Sequence, residues 1–158
     1  CPALLPFPGA VAPMFSAMAG ALFANPFAAR IVAGFARHAD NPAGFLKRST
    51  GSRIDAVGVA CYRRLFGDAR HVEGVFGMMA RWDLAALART LPSFPARLHI
   101  AHGDRDSAVP ASSGADAAKL VPHGSFEALP GLGHLAHEER PDLAAAIILR
   151  ALDEGITA

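Results

Sequence analysis

Two stretches near the C-terminus decide the fold: RLHIAHGDRDSAVP, residues 97–110, and SFEALPGLGHLAHEERP, residues 125–141. RLHIAH (97–102) is a short β-like run, led by Pro95 and ended by Gly103. SFEAL (125–129) is a second, closed by Pro130-Gly131. Between them, Ser112 and Ser113 are N-cap candidates for a helix that reaches Leu120 and is stopped by Pro122. After the second run, Pro141 opens an Ala/Leu/Ile-rich helix to about Asp153. Strand–helix–strand–helix is the pattern of a parallel sheet, which places the chain in the α/β class. In such sheets, catalytic groups gather beyond the carboxyl ends of the strands. The turn after the first run carries Asp104 and Asp106, and the turn after the second carries His134. An acid and a histidine on successive parallel strands face the same crevice. There a carboxylate can hold an imidazole in one tautomer and stabilise the imidazolium formed when it takes a proton. Asp104 competes with Asp106 for this role, and a plain turn residue is the ordinary alternative for either.

Residues 1–90 have a different character from 91–158: they read as helical throughout, broken by Pro and Gly. Helices are expected over Pro13–Phe23, from Pro26 at a first helical position to about Arg37, and from Asn41-Pro42 to near Thr50-Gly51. Further helices are expected over Asp55–Phe66 and His71–Ala80, and Asp83 caps DLAALART. No stretch here alternates with the period of two that a half-buried strand requires. Phe23, Phe27, Ile31 and Phe35 at i, i+4 spacing predict a buried helix face. A membrane surface is the alternative cover for that face, with Arg30 and Arg37 beside it. Met78, Met79 and Trp82 offer an apolar lining for a large ligand, although a Met-rich helix more often serves packing. Met78 and Trp82 are the candidate substrate-binding residues.

At 52% hydrophobic and 18% charged residues the chain is too apolar to be disordered. A net charge of +1 without a Lys/Arg run gives no electrostatic reason to expect nucleic acid as a partner. Cys1 and Cys61 are too few for a disulfide framework and lack zinc-ligand spacing, so a reducing cytoplasm is expected. Pro6, Pro8, Pro13 and Pro26 interrupt the apolar N-terminal stretch below the ~18–20 residues of a membrane helix. His99 and His102, three apart on a strand, point to opposite faces, so no metal site is expected from the histidines and acids of this region, and no cofactor. The start at Cys1-Pro2, without methionine, is read as a truncated reading frame.

Gly103, Asp106, Val109 and Pro110 as G-x-x-D-x-x-V-P, followed by Gly131, Gly133, His134, Glu139, Arg140 and Pro141 as G-x-G-H-x-x-x-x-E-R-P, resemble the C-terminal half of the α/β-hydrolases. The order acid then histidine fits their Ser…Asp…His arrangement. The resemblance implies that Asp106 is the triad acid and His134 the general base. It also implies that the two glycines bring His134 to the site and that Glu139-Arg140-Pro141 start the last helix. Residues 1–90 then correspond to a helical cap, and 91–158 to the C-terminal βαβα part of the hydrolase core. More narrowly, LLPFPG (4–9), NPF (25–27), TGS (50–52), GVACYRRLF (58–66) and HVEGVFGMMARWDL (71–84) are similar to the magnesium-chelatase accessory hydrolases (BchO-type) of bacteriochlorophyll synthesis. That similarity implies a role in photosynthetic pigment synthesis, an apolar small-molecule substrate such as a tetrapyrrole, and magnesium chelatase as a partner.

One part of the pattern is missing. A nucleophile elbow needs G-x-S-x-G, and Ser16, Ser49, Ser52, Ser93, Ser107, Ser112, Ser113 and Ser125 all lack a glycine two residues before. Cys61 fails the same test. The nucleophile is therefore expected upstream of Cys1, and the chain alone is not expected to turn over an ester. Two functions stand: a fragment of a Ser-His-Asp hydrolase, or a non-catalytic accessory protein that binds a tetrapyrrole or docks on the chelatase.

Overall fold

The computed structural model describes residues 1–6, 20 and 25–156. Apart from Gly20, the helix expected over Pro13–Phe23 lies outside them. From Asn25 onward each helix of the first half begins at a side-chain cap, which explains why their starts are legible. The Asn25 side chain accepts the Phe27 amide at the head of α1 (Pro26–Arg37), and Asn41 accepts that of Gly44 at the head of α2 (Pro42–Thr50). Asp55 caps α3 (Ala56–Gly67), Asp68 caps α4 (Ala69–Met79) and Asp83 caps α5 (Leu84–Thr90). Because Asp68 accepts the Arg70 amide, α4 starts two residues before the expected His71. Gly51 ends α2 in the left-handed conformation, with φ of 72°.

The helices α1, α3 and α4 pack on one another around Ala29, Ala33 and Val72. This corrects the expectation for the first helix. Phe27, Ile31 and Phe35 are 64%, 58% and 75% exposed, whereas Ala29 and Ala33 on the other face are buried. Small side chains let the helix axes approach closely, so α1 turns its alanine stripe inward and leaves the aromatic stripe outside. Among the described residues no helix is long and apolar enough to cross a membrane.

A short 3-10 turn, Leu91–Ser93, leads into β1 (Leu98–Gly103), α6 (Ala111–Leu120), β2 (Gly124–Leu129), α7 (Ala136–Glu139) and α8 (Pro141–Ile156). The strands pair in parallel, from Leu98 opposite Gly124 to Gly103 opposite Leu129, which makes this an α/β protein. Ile100 and Phe126 pack with Leu91, Ala117, Ala118 and Val121 on the α6 side of the sheet. On the other side, Ala101 and Leu129 pack with Ala136, Leu143 and Ile147. Glu127 ties α8 to that face, binding the Arg150 guanidinium and standing 3.1 Å from His99 Nε2. Ser112 and Ser113 do not cap α6. The Pro110 carbonyl takes the Ser113 amide, so Pro110 is the cap residue and both serines lie inside the first turn.

Candidate active site

Parallel pairing sets the turns after β1 and β2 side by side, and backbone contacts lock them. The amides of Asp104 and Arg105 donate to the carbonyls of Leu129 and Leu132. A Cβ on Gly103 would stand 2.3 Å from the Leu132 carbonyl oxygen, so only glycine permits this approach. Asp104 serves the same lock: its Oδ1 accepts the Gly131 amide at 2.7 Å. That occupation separates the two aspartates, since Asp104 holds the turn and Asp106 points inward.

The Asp106 side chain is fully buried. Its Oδ1 accepts the amides of Ala108 and Val109, each at 2.8 Å, and its Oδ2 lies 2.8 Å from His134 Nδ1. A buried carboxylate whose two oxygens both receive N–H groups is held in one orientation. His134 stands at the border, with 32% of its side chain exposed, and its Nε2 has no hydrogen-bond partner among the described residues. The acceptor at Nδ1 places a proton there, which leaves Nε2 to act toward a substrate. A cavity of about 260 Å³ adjoins it, lined by Ala101, His134, Leu143, Ile147 and Ile148 among others. Arg140 on that wall is committed to Asp142, and their paired hydrogen bonds hold the Asp142 carboxyl down at about 2.

A third loop completes the site, and it comes from the helical half. The Thr50 carbonyl accepts the His134 amide at 2.8 Å and the Ser107 amide at 3.4 Å, so one oxygen joins both functional turns. The buried Ser52 Oγ accepts the Leu135 amide at 2.8 Å. Glu139 bridges from the other side, with Oε1 on the Gly133 amide at 2.7 Å and Oε2 on the Arg53 amide at 2.9 Å. A Cβ on Gly133 would meet the Ser52 nitrogen at 2.4 Å, which explains the second glycine of the histidine turn. The Thr50-Gly51-Ser52 stretch had no chemistry to recommend it in the sequence. Its role is carried by the Thr50 carbonyl, which no residue type announces, and by the Ser52 hydroxyl, whose partner lies 83 residues along the chain.

His102 was also missed as a site residue. It is fully buried, and its Nε2 lies 3.0 Å from both Asp106 Oδ2 and the Val109 carbonyl. The one available signal was its position on the α6 side of β1, opposite in direction to His99. Met78 and Trp82 are about half exposed and are not among the residues lining the cavity beside His134. Cys1 Sγ, His102 and Asp106 offer ligand atoms within 4.8 Å of one another. Those atoms already pair among themselves and with the Gly103 amide, which leaves a cation no free donor set. Ser52, the buried serine, spends its Oγ on Leu135 and makes no hydrogen bond to the His134 ring among the described residues.

No family model matches the chain. Over 147 residues it is 38% identical to the magnesium-chelatase 30 kDa subunit of Rhodobacter capsulatus, an alignment that takes in 93% of this chain and 51% of that protein. The chain thus spans about half the length of the curated relative it matches.

Proposed function

We propose that this chain is the C-terminal part of an α/β-hydrolase of the Ser-His-Asp type, acting beside magnesium chelatase in bacteriochlorophyll synthesis. The observation that carries the reading is the 2.8 Å contact between His134 Nδ1 and the buried Asp106 carboxylate, beside a cavity that His134 helps to line. Asp106 orients the ring and stabilises the imidazolium. His134 Nε2 takes the proton of a hydroxyl nucleophile as that oxygen attacks an acyl carbon, then returns it to the leaving group. The nucleophile comes from outside this chain, and the relative's length, about twice the matched part, leaves room for it. Residues 1–90 act as a helical cap over the core built by 91–158. The substrate is an apolar small molecule, and the name of the relative favours a tetrapyrrole, with the exposed Met78 and Trp82 available to its faces. We place the protein in the cytoplasm, in contact with the chelatase.

The test uses the protein extended to the length of its relative, with a generic aryl ester. Hydrolysis is expected, and His134→Ala should lower kcat by about 10³-fold or more while leaving the fold intact. Undiminished turnover in that variant would refute the assigned role. An extended protein that binds a tetrapyrrole but hydrolyses nothing would favour the non-catalytic accessory reading.

A further inference from the structure

His102 is placed as no packing residue needs to be. Its ring is fully buried on the α6 side of the sheet, yet Nε2 reaches two acceptors at 3.0 Å, Asp106 Oδ2 and the Val109 carbonyl oxygen. Neither acceptor carries a proton to share, so the ring must hold its proton on Nε2 and donate it. The other nitrogen, Nδ1, is buried without a hydrogen-bond partner among the described residues. The backbone of α6 closes over it: a Cβ on Gly114 would fall 2.7 Å from Nδ1 and 3.3 Å from both Ile100 and Phe126 side-chain carbons. A proton on Nδ1 would therefore meet no acceptor among the described residues. The ring's donor to Asp106 and Val109 is therefore Nε2–H.

Asp106 Oδ2 consequently receives N–H groups from two histidines, His102 on its buried side and His134 on its open side. With Ala108 and Val109 on Oδ1, the carboxylate is held from four directions. We infer that His102 is a positioning residue for the acid–base pair, a fixed donor that aims Asp106 Oδ2 at His134 and shares the carboxylate's charge. This rests on the reading of Asp106 and His134 as that pair, and it adds a residue which touches no substrate.

The test compares His102→Gln, whose side-chain N–H₂ can reach the place of Nε2–H, with His102→Met, which fills the space without a donor. In the extended protein, His102→Met should lower kcat for an aryl ester by about 10–100-fold with KM little changed, and His102→Gln should recover most of the loss. Nitrogen-15 NMR of the unsubstituted protein should show one protonated and one bare ring nitrogen for His102, unchanged while His134 titrates. The His134 Nδ1–H proton resonance should move in His102→Met and return in His102→Gln. A doubly protonated or Nδ1–H His102 overturns the inference, as does a Met variant that behaves like the Gln variant. If the unsubstituted protein hydrolyses nothing, the hydrolase reading fails, and the NMR readings alone decide on His102.

Discussion

The helical half and the sheet half of this molecule bury their residues by different means. In residues 25–90 each helix is started by an Asn or Asp side chain, and its packing rests on Ala29, Ala33 and Val72. Large apolar side chains stand outside it: Phe27, Ile31, Phe35, Phe45, Val57, Met78 and Trp82 are all exposed. In residues 91–156 the two faces of the sheet are both covered, and the interior holds polar groups too, the rings and carboxylate of His102 and Asp106. Local caps can define helices without specifying what those helices press against. The buried carboxylate takes three of its N–H partners, from His102, Ala108 and Val109, within four residues of itself, but the fourth, His134, is supplied by another segment.

The largest expected effect turns that contrast into a number. Ile100→Ala should cost about 2–5 kcal/mol, because the side chain is almost wholly enclosed between β1 and α6. Phe35→Ala removes more atoms but should change stability by less than about 0.5 kcal/mol, since the ring is already in water. Denaturant midpoints of both variants make the comparison; equal losses would mean that α1's aromatic face is covered in solution. Next comes the joint between the halves. Ser52→Ala leaves the buried Leu135 amide without its acceptor and should cost about 1–3 kcal/mol. Hydrogen exchange should then quicken at Leu135 and His134. Unchanged protection would show that the 50–53 loop does not clamp the histidine turn.

The smallest effect tests the contact between α3 and α7. Tyr62 donates to Glu138 Oε1 at 2.5 Å, and burial, with that hydrogen bond and the nearby charge, pushes the phenol up to about 12 from 10. A raised value means that the folded protein holds the proton more tightly than the unfolded chain. The contribution is therefore present below pH 10 and lost as pH rises through about 12. Tyr62 is the one tyrosine in the sequence, so phenolate absorbance follows it alone. The midpoint should stand near 12 in the folded protein and fall toward 10 in Glu138→Gln or in denaturant. A midpoint of 10 in the folded protein would mean that the halves part at this contact.

The starts of α1, α2, α3 and α5 were legible because Pro, Asn and Asp at a helix head act on the next few amides, whatever the rest of the chain does. The parallel pair and the meeting of Asp106 with His134 were legible because strand–turn spacing puts both at one end of a sheet. Burial of the α1 face was misread, since i, i+4 spacing gives a stripe and not the side that will be covered. Spacing alone left Asp104 beside Asp106; the G-x-x-D resemblance favoured Asp106, and the Gly131 amide bound to Asp104 gives the physical reason. Sequence by itself determined the α/β class and placed acids and a histidine at one end of the sheet, because local propensity and strand order are properties of neighbouring residues. Only the tertiary structure decided that Thr50, Ser52 and Glu139 brace the histidine turn and that His102 stands behind Asp106. Those roles depend on a carbonyl, an amide or a ring nitrogen reaching a residue far along the chain, and the identity of a side chain does not encode such distances.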